Sequence, residues 1–271
     1  MPQQMRRDVR LLGDLLGEVL RESEGDDLLA DVERLRLAVI TARRGAGPED
    51  EADRDPVGDE IAALVASWPL DRAELVARAF TVYFHLANLA EEHQRIRTLA
   101  EREAGGGPLR ESFALAVSTL RDEQGSGRLT ELLAGLRVHP VLTAHPTEAR
   151  RRAVNASLRR LSRLLDTLDG RPEAAEPPAE VRRRLHEEID LLWRTSQLRV
   201  KAMEPLDEVR TVMAAFDETL FQVIPLVYRS LDQVVTGQDS GARPPAVPAY
   251  LRLGSWVGGD RDGNPFVTAQ V

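Results

Sequence analysis

Most of this chain shows the three- and four-residue spacing of apolar side chains that is typical of amphipathic helices. Near the N-terminus the spacing is carried by Leu11, Leu12, Leu15, Leu16, Val19 and Leu20. The pattern predicts helices over 8–40, 59–103 with a break near Pro69, 109–121, 128–135, 147–168, 180–198 and 205–235 with a kink near Pro225, and a polar loop over 43–59. We therefore expect a mostly α-helical protein.

Two short segments depart from this spacing. Residues 137–143 and 249–256 contain β-branched and aromatic side chains and predict strands, although Pro140 interrupts the first. About 105 residues separate them, far more than a minimal crossover between parallel strands. If the strands are parallel neighbours, the loops that follow them leave one edge of a sheet. We expect a helical region at 1–135, and a region at 136–271 that holds these strands and a long helical insertion.

The first strand leads into a histidine at the start of a helix. His145 is followed by Pro146, and arginines occupy 150–152. Free N–H groups and the positive dipole end of a helix N-terminus, together with guanidinium groups, suit an anion such as phosphate or bicarbonate and favour a neutral imidazole. A histidine after a strand is more often structural, and an arginine run is more often a solvated helix face. The residues alone leave both interpretations open.

The second strand leads into a polar, glycine-rich segment at 258–265, with sequence GGDRDGNP. Its glycines permit a close backbone approach to a ligand. Arg261, between Asp260 and Asp262, suits an anion, but the three charges also fit a tight turn that pairs with itself. The segment lacks the spacing and final Glu of an EF-hand calcium loop.

Composition excludes several classes of protein. The net charge of −8 argues against a general nucleic-acid binder. The absence of cysteine excludes disulfides and thiolate metal sites. The first twenty residues carry acidic side chains where a signal peptide is apolar, and no apolar run is long enough to span a membrane. We expect a cytoplasmic protein without nucleic-acid or membrane partners.

Both polar segments resemble signatures of one enzyme family. VLTAHPTEARRR at 141–152 resembles the histidine active-site signature of the phosphoenolpyruvate carboxylases, and GSWVGGDRDGNP at 254–265 resembles a second hallmark of that family. The helical segments at 77–97 and 191–220 are similar in style and order. The resemblance runs from about residue 6 to the end of the chain.

This resemblance implies an activity and a fold. The family converts phosphoenolpyruvate and bicarbonate to oxaloacetate and phosphate with Mg²⁺ or Mn²⁺, an anaplerotic carbon fixation that feeds the tricarboxylic acid cycle. Its fold is a TIM-like β/α barrel embedded in many helices, assembled as a homotetramer. We therefore expect a partial, incomplete barrel here.

The resemblance also implies roles for particular residues. It makes His145 the catalytic histidine. Its substrate-binding candidates are Arg151, Trp256, Arg261, Asp262 and Asn264. The family's acidic metal ligands belong to a C-terminal part that these 271 residues lack. We expect no metal ligands within this chain, and the isolated chain to be inactive.

Two other interpretations compete with the carboxylase. One is a non-catalytic helical interaction or regulatory module derived from it. The other is a helical nucleic-acid binder that uses the arginine-rich helix, which the acidic balance of the chain disfavours.

Overall fold

The structure, a computed structural model, describes residues 1–45, 56–106, 108–143, 152–169, 177–196, 204–241, 243–257 and 267–268. The helices are α1 (Gln3–Glu24), α2 (Asp26–Gly45), α3 (Pro56–Ala66), α4 (Leu70–Ala104), α5 (Phe113–Gly135), α6 (Arg152–Asp166), α7 (Ala179–Arg194), α8 (Pro205–Ala215) and α9 (Phe221–Thr236). A π-helical turn, Phe216–Leu220, joins α8 to α9, and the strands are β1 (Val141–Leu142) and β2 (Gly254–Ser255). The described part is mostly α with two short parallel strands, as predicted.

Glycines divide the helices at the N-terminal and central parts of the chain. The helix predicted over 8–40 is two helices, because Gly25 has a φ of +88° that ends α1. Gly125, with a φ of +80°, bends α5 where the sequence predicted a break. The ends of the loop predicted over 43–59 are helical, since α2 reaches Gly45 and α3 begins at Pro56. Residues 46–55 lie outside the described residues.

The segment predicted as one kinked helix over 205–235 contains an unpredicted π-helical turn. Pro205 begins α8 at the first helical position, where a backbone N–H would have no acceptor within the helix. Glu204 and Asp207 form a capping box at the same end. Helix α9 continues through Pro225, and the irregular hydrogen bonding lies at Phe216–Leu220 instead.

The chain forms two compact units. Unit 1 comprises Met1–Thr98 and Arg150–Arg199, and unit 2 comprises Leu99–Ala149 and Val200–Val271. Unit 1 thus holds α1–α3, most of α4, α6 and α7, whereas unit 2 holds α5, α8, α9 and both strands. The division expected at residue 135 stays a prediction.

Unit 1 is built around a large apolar core. Helix α1 packs on α2 and α7, and α6 packs on α7. Twenty apolar residues of this unit are buried together, with Leu12, Leu161 and Ile189 fully inaccessible. Burying a side chain of this size stabilises a fold by about 1.5–3 kcal/mol. Arg78 lies 4.8 Å from the centre of the buried Trp193 ring and donates to the Trp193 carbonyl.

A buried ionic network joins three helical segments of unit 1. Asp8 on α1 is fully buried, and its Oδ2 accepts from Arg97 Nη1 on α4 at 2.6 Å. Arg97 Nε also donates to Asp169, just after α6, at 2.8 Å. Burial by itself would lower the pKa of Arg97, but its hydrogen bonds to Asp169 and Asp8 raise that pKa above its usual value. The guanidinium therefore remains charged within the core.

Unit 2 has a much smaller core. Helix α5 packs on α9, and five described residues are buried together: Val117, Leu129, Leu231, Val247 and Tyr250. Many apolar side chains of this unit stay exposed, among them Met213 at 60% and Phe221 at 68%.

No helix in the described part of the chain combines the length and apolar character that a bilayer crossing requires.

Candidate functional site

The two strands pair in parallel immediately before the two polar segments. Val141 is in register with Gly254, and Leu142 with Ser255. Gly254 N–H donates to the Pro140 carbonyl at 3.0 Å, and Trp256 N–H donates to the Leu142 carbonyl at 3.1 Å. The two strands run in the same direction. The segments that follow Leu142 and Trp256 therefore leave the pair at the same end. This confirms the parallel pairing expected from the sequence.

The strands are shorter than predicted. A separate bridge between Val138 and Leu251 continues the pairing towards the N-terminal ends, with Arg252 N–H donating to the Val138 carbonyl at 2.9 Å. Pro140 has no N–H and cannot donate to the partner strand. The ladder is therefore interrupted between the bridge and the two-residue strands.

Helix α9 positions the segment that leads into β2. The Tyr228 hydroxyl accepts from the backbone N–H groups of Tyr250 and Leu251, both at 2.9 Å. The Tyr228 and Tyr250 rings lie 4.6 Å apart between centroids. Burial and the nearby Tyr228 raise the pKa of Tyr250. The segment just before β2 is thus held by helix α9.

Asp232 holds the residues just before this point. Its Oδ1 accepts from Ala246 N–H at 2.7 Å and from Val247 N–H at 3.3 Å, and Arg243 donates to its Oδ2 at 2.8 Å. Desolvation by burial would raise the pKa of Asp232. The hydrogen bonds from Ala246, Arg243 and Val247 outweigh that effect and lower it.

Gly254 permits the close approach of the two strands. A Cβ atom built on Gly254 would lie 3.3 Å from Val141 Cγ2, which is tighter than ordinary van der Waals contact. Any larger residue at 254 would push β2 away from β1 or displace Val141. The glycine that opens the GSWVGGDRDGNP segment therefore has a packing role in the strand pair.

One of the predicted site residues is described. Trp256 follows β2, and its side chain is 68% exposed. The other five lie outside the described residues: His145, Arg151, Arg261, Asp262 and Asn264. Their predicted convergence stays a prediction, although the strands that precede them are neighbours.

One group in the described residues places three possible metal ligands close together. Ligand atoms of His93, Asp166 and Asp169 lie within 4.8 Å of one another in unit 1. Arg97 Nη2 lies 2.6 Å from Asp169 Oδ1, and His93 Nε2 lies 3.0 Å from Ser162 Oγ. The positive charge of Arg97 at the Asp169 carboxylate disfavours binding of a metal cation there. Mg²⁺ also prefers oxygen ligands, whereas His93 would offer a nitrogen. The group does not fit the metal that the resemblance implies.

Unit 1 also contains an open groove of about 580 Å³ between α1, α2 and α4. Tyr83 and Leu29 line it opposite Gly13 and Gly17. Two of the acidic residues that line it form ion pairs, Glu33 with Arg36 and Glu18 with Arg182. The groove offers apolar walls without a convergent set of reactive groups.

Comparison with known proteins identifies the family. The family model for phosphoenolpyruvate carboxylase matches residues 5–271. The chain belongs to the phosphoenolpyruvate carboxylase family. It is similar to the proteins named phosphoenolpyruvate carboxylase from Azorhizobium caulinodans, with 37% identity over 274 residues, and from Alcanivorax borkumensis, with 39% identity over 277 residues.

These carboxylases are much longer than this chain. The match covers 99% of this chain and 28% of the Azorhizobium carboxylase, and 98% of this chain and 29% of the Alcanivorax carboxylase. The relative from Roseiflexus castenholzii shows the same proportions, at 38% identity with 99% and 28% covered. The chain therefore spans between a quarter and a third of these family members.

Sequence reasoning missed the residues that position β2. Tyr228 and Asp232 are four residues apart, which places them on one face of α9. A tyrosine and an aspartate at that spacing, beside the buried Leu231, were the available signal. The side-chain oxygens of Asp232 and Tyr228 accept hydrogen bonds from backbone N–H groups that lie 14 and 23 residues further along the chain, at Ala246 and Leu251. Residue spacing does not indicate such a pairing.

Proposed function

We propose that this chain supplies the catalytic histidine and part of the substrate pocket of a phosphoenolpyruvate carboxylase. The whole enzyme would carboxylate phosphoenolpyruvate with bicarbonate to give oxaloacetate and phosphate. Bicarbonate oxygen attacks phosphorus and the enol oxygen leaves, giving carboxyphosphate and the pyruvate enolate. Carboxyphosphate then breaks into CO₂ and phosphate, and the enolate carbon attacks CO₂.

His145 would act in the second half of this sequence. A neutral imidazole can accept the proton of carboxyphosphate, and the carbon–oxygen electrons then leave with phosphate as CO₂ forms. The positive charges of Arg151 and Arg261 would stabilise the phosphate and the developing anion. Asp262, Asn264 and Trp256 would shape the same pocket and limit access of water to the enolate.

The parallel strand pair carries this proposal. Trp256 N–H lies 3.1 Å from the Leu142 carbonyl, so the two signature segments begin side by side. His145 follows Leu142 by three residues, and covalent geometry alone keeps its Cα within about 11 Å of the Leu142 Cα. Loops at the carboxyl ends of parallel strands are where β/α folds place active sites.

The family resemblance extends the proposal beyond this chain. We place the ligands for Mg²⁺ or Mn²⁺ in the part of the carboxylases that this chain does not span. The bound metal would supply charge neutralisation at the phosphate and the enolate oxygen. The strand pair would belong to a TIM-like β/α barrel in a cytoplasmic homotetramer.

A chimaera tests the role of His145. In it, this chain replaces the matched 274-residue segment of the Azorhizobium carboxylase. Replacing His145→Asn should lower kcat for oxaloacetate by about 100-fold or more, the usual contribution of a general acid or base. Consumption of phosphoenolpyruvate should fall less than oxaloacetate formation, because the attack on phosphorus precedes the histidine step.

His139→Asn is the matched control. His139 is exposed and lies just before β1, and its replacement should leave kcat unchanged. Equal losses in the two variants, or full activity of the His145 variant, would contradict the assigned role.

The isolated chain should form no oxaloacetate from phosphoenolpyruvate, bicarbonate and Mg²⁺. The two strands found in the described residues cannot close a barrel by themselves. A coupled assay for oxaloacetate checks this, with the chimaera as positive control. Turnover by the isolated chain would show that the pocket is complete without the rest of the carboxylase.

A further inference from the structure

The Tyr228 hydroxyl binds the segment before β2 on the side away from β1. In the bridge between the two segments, Val138 N–H donates to the Tyr250 carbonyl and Arg252 N–H donates to the Val138 carbonyl, both at 2.9 Å. In a parallel ladder with this pattern, the N–H of Leu251 itself points away from β1. The Tyr228 hydroxyl accepts from Leu251 N–H and from Tyr250 N–H, each at 2.9 Å.

The segment that contains β1 supplies fewer hydrogen bonds here than a regular strand would. In a regular parallel ladder the residue at 140 would donate to the Arg252 carbonyl, but Pro140 has no N–H. The bonds to the Tyr228 hydroxyl act on Tyr250 and Leu251, just before this interruption. They therefore help to fix where this segment lies along β1.

A displacement at this point would be passed on to a residue of the candidate site. Trp256 lies five residues beyond Leu251, on the same extended segment, and its N–H donates to the Leu142 carbonyl at 3.1 Å. Paired strands move as a unit, because each of these bonds sets the position of the next residue. The Tyr228 hydroxyl thus acts on Trp256 through the backbone, at a distance from any substrate.

The proposed reaction offers a sensitive measure of such a displacement. The carbon of the pyruvate enolate either attacks CO₂ to give oxaloacetate, or takes a proton from water to give pyruvate while CO₂ escapes. Exclusion of water and the position of CO₂ decide between the two products. A misplacement of about 1 Å can change a rate by about 100-fold. The ratio of the products does not depend on how much of the enzyme is folded.

We propose that Tyr228 is a positioning residue for carboxylation, whose hydroxyl holds the segment before β2 so that Trp256 keeps water from the enolate. This inference rests on the proposed function and on the place given there to Trp256. It assigns to Tyr228 no contact with the substrate.

Tyr228 and Tyr250 form a matched pair for testing this role. Their rings pack against each other, with centroids 4.6 Å apart. The Tyr250 hydroxyl is buried and has no hydrogen-bond partner among the described residues, whereas the Tyr228 hydroxyl accepts from two N–H groups. Tyr228→Phe and Tyr250→Phe therefore remove the same atom from adjacent rings, but only the first removes these bonds to the segment before β2.

The variants are compared in the chimaera with the Azorhizobium carboxylase. Tyr228→Phe should raise the amount of pyruvate formed per oxaloacetate by about 5-fold, and should also raise the KM for phosphoenolpyruvate. Tyr250→Phe should change neither quantity. Leu129→Ala, which opens a cavity in the core of unit 2, should lower the urea midpoint without changing the ratio.

Trapping both products as they form makes the ratio measurable. Malate dehydrogenase and lactate dehydrogenase with NADH convert oxaloacetate to malate and pyruvate to lactate, and chromatography quantifies the two. Oxaloacetate is then removed before its spontaneous decarboxylation adds pyruvate. If Tyr228→Phe does not fold, 3-fluorotyrosine at 228 replaces it, since it keeps the ring and weakens the hydroxyl as an acceptor. It should raise the ratio in the same direction.

A constant ratio in the variant at 228 would overturn the positioning role, as would an equal rise in Tyr250→Phe or Leu129→Ala. Failure of the proposed function has a different signature. The unsubstituted chimaera would then form no oxaloacetate, or His145→Asn would keep full activity, and either result would overturn both proposals. A constant ratio in a chimaera whose activity depends on His145 would overturn the role of Tyr228 alone.

Discussion

Units 1 and 2 differ in how fully each buries its apolar residues. The described part of unit 1 encloses twenty buried apolar side chains and an ionic network, whereas the described part of unit 2 encloses five and leaves Met213 and Phe221 exposed. Each fully buried leucine adds about 1.5–3 kcal/mol, so the two cores differ greatly in the stabilisation that they provide. Apolar burial therefore stabilises unit 1 more than it stabilises the described part of unit 2.

The larger core and the strand pair belong to different units. The closed core lies in unit 1, and the signature segments begin at the strand pair of unit 2. Tyr228 and Asp232 on α9 hold the segment that leads into β2 of that pair. Three changes would break or sharpen this comparison.

The largest effect is expected from the ionic network of unit 1. Arg97→Met should lower the free energy of unfolding by about 3–5 kcal/mol, because it breaks a buried ion pair and leaves the fully buried Asp8 carboxylate with the longer contacts to Arg7, at 3.2 Å. Urea denaturation followed by tryptophan fluorescence measures the change. Arg36→Met, which removes a half-exposed ion pair with Glu33, should change stability by about 0.5 kcal/mol or less. Similar losses in the two variants would show that the network is not a core feature.

Matched leucines compare the two cores directly. Leu161→Ala in unit 1 should destabilise its surroundings by about 3 kcal/mol, because Leu161 lies in a large buried cluster whose packing leaves little room for the cavity to close. Leu231→Ala in unit 2 should have a smaller effect, about 2 kcal/mol, because the loosely covered α9 can relax. Amide exchange in peptides from α6 and α9 measures both changes. A larger loss at Leu231 would reverse the proposed ranking of the cores.

The smallest effect concerns the acid sensitivity of the segment before β2. The pKa of Asp232 is lowered in the folded state, so its stabilising bonds are fully present above the ordinary aspartate pKa of 3.8 and are lost as pH falls through the lowered value. Amide exchange of the peptide over 244–252, corrected for intrinsic rate, should therefore show less protection at pH 3 than at pH 5.

Asp232→Asn should reduce protection of this peptide at pH 5 and remove most of its pH dependence. Asp239→Asn serves as the control, because Asp239 is exposed and bonds only weakly to Gln233, at 3.4 Å. An unchanged pH dependence in Asp232→Asn would assign the acid sensitivity to another group.

Much of the helical architecture follows from local spacing. The apolar repeats around Leu12 and Leu161 predict the helices that bury them, and the breaks at Pro69 and Gly125 lie where the sequence indicated. The π-helical turn at Phe216–Leu220 was not predicted, because one additional residue in a helical turn leaves no distinct spacing signal. The division of 8–40 at Gly25 depended on a positive φ, which a single glycine permits but does not require.

The sequence by itself determined the family, the helical character and the two segments that hold the candidate site, because these depend on local spacing and on short specific motifs. Tertiary structure decided that β1 and β2 are parallel neighbours, that Arg97 binds both Asp8 and Asp169, and that α9 holds the segment before β2. Those pairings join residues far apart in the chain, and they form only when burial makes an unsatisfied charge or backbone N–H unfavourable.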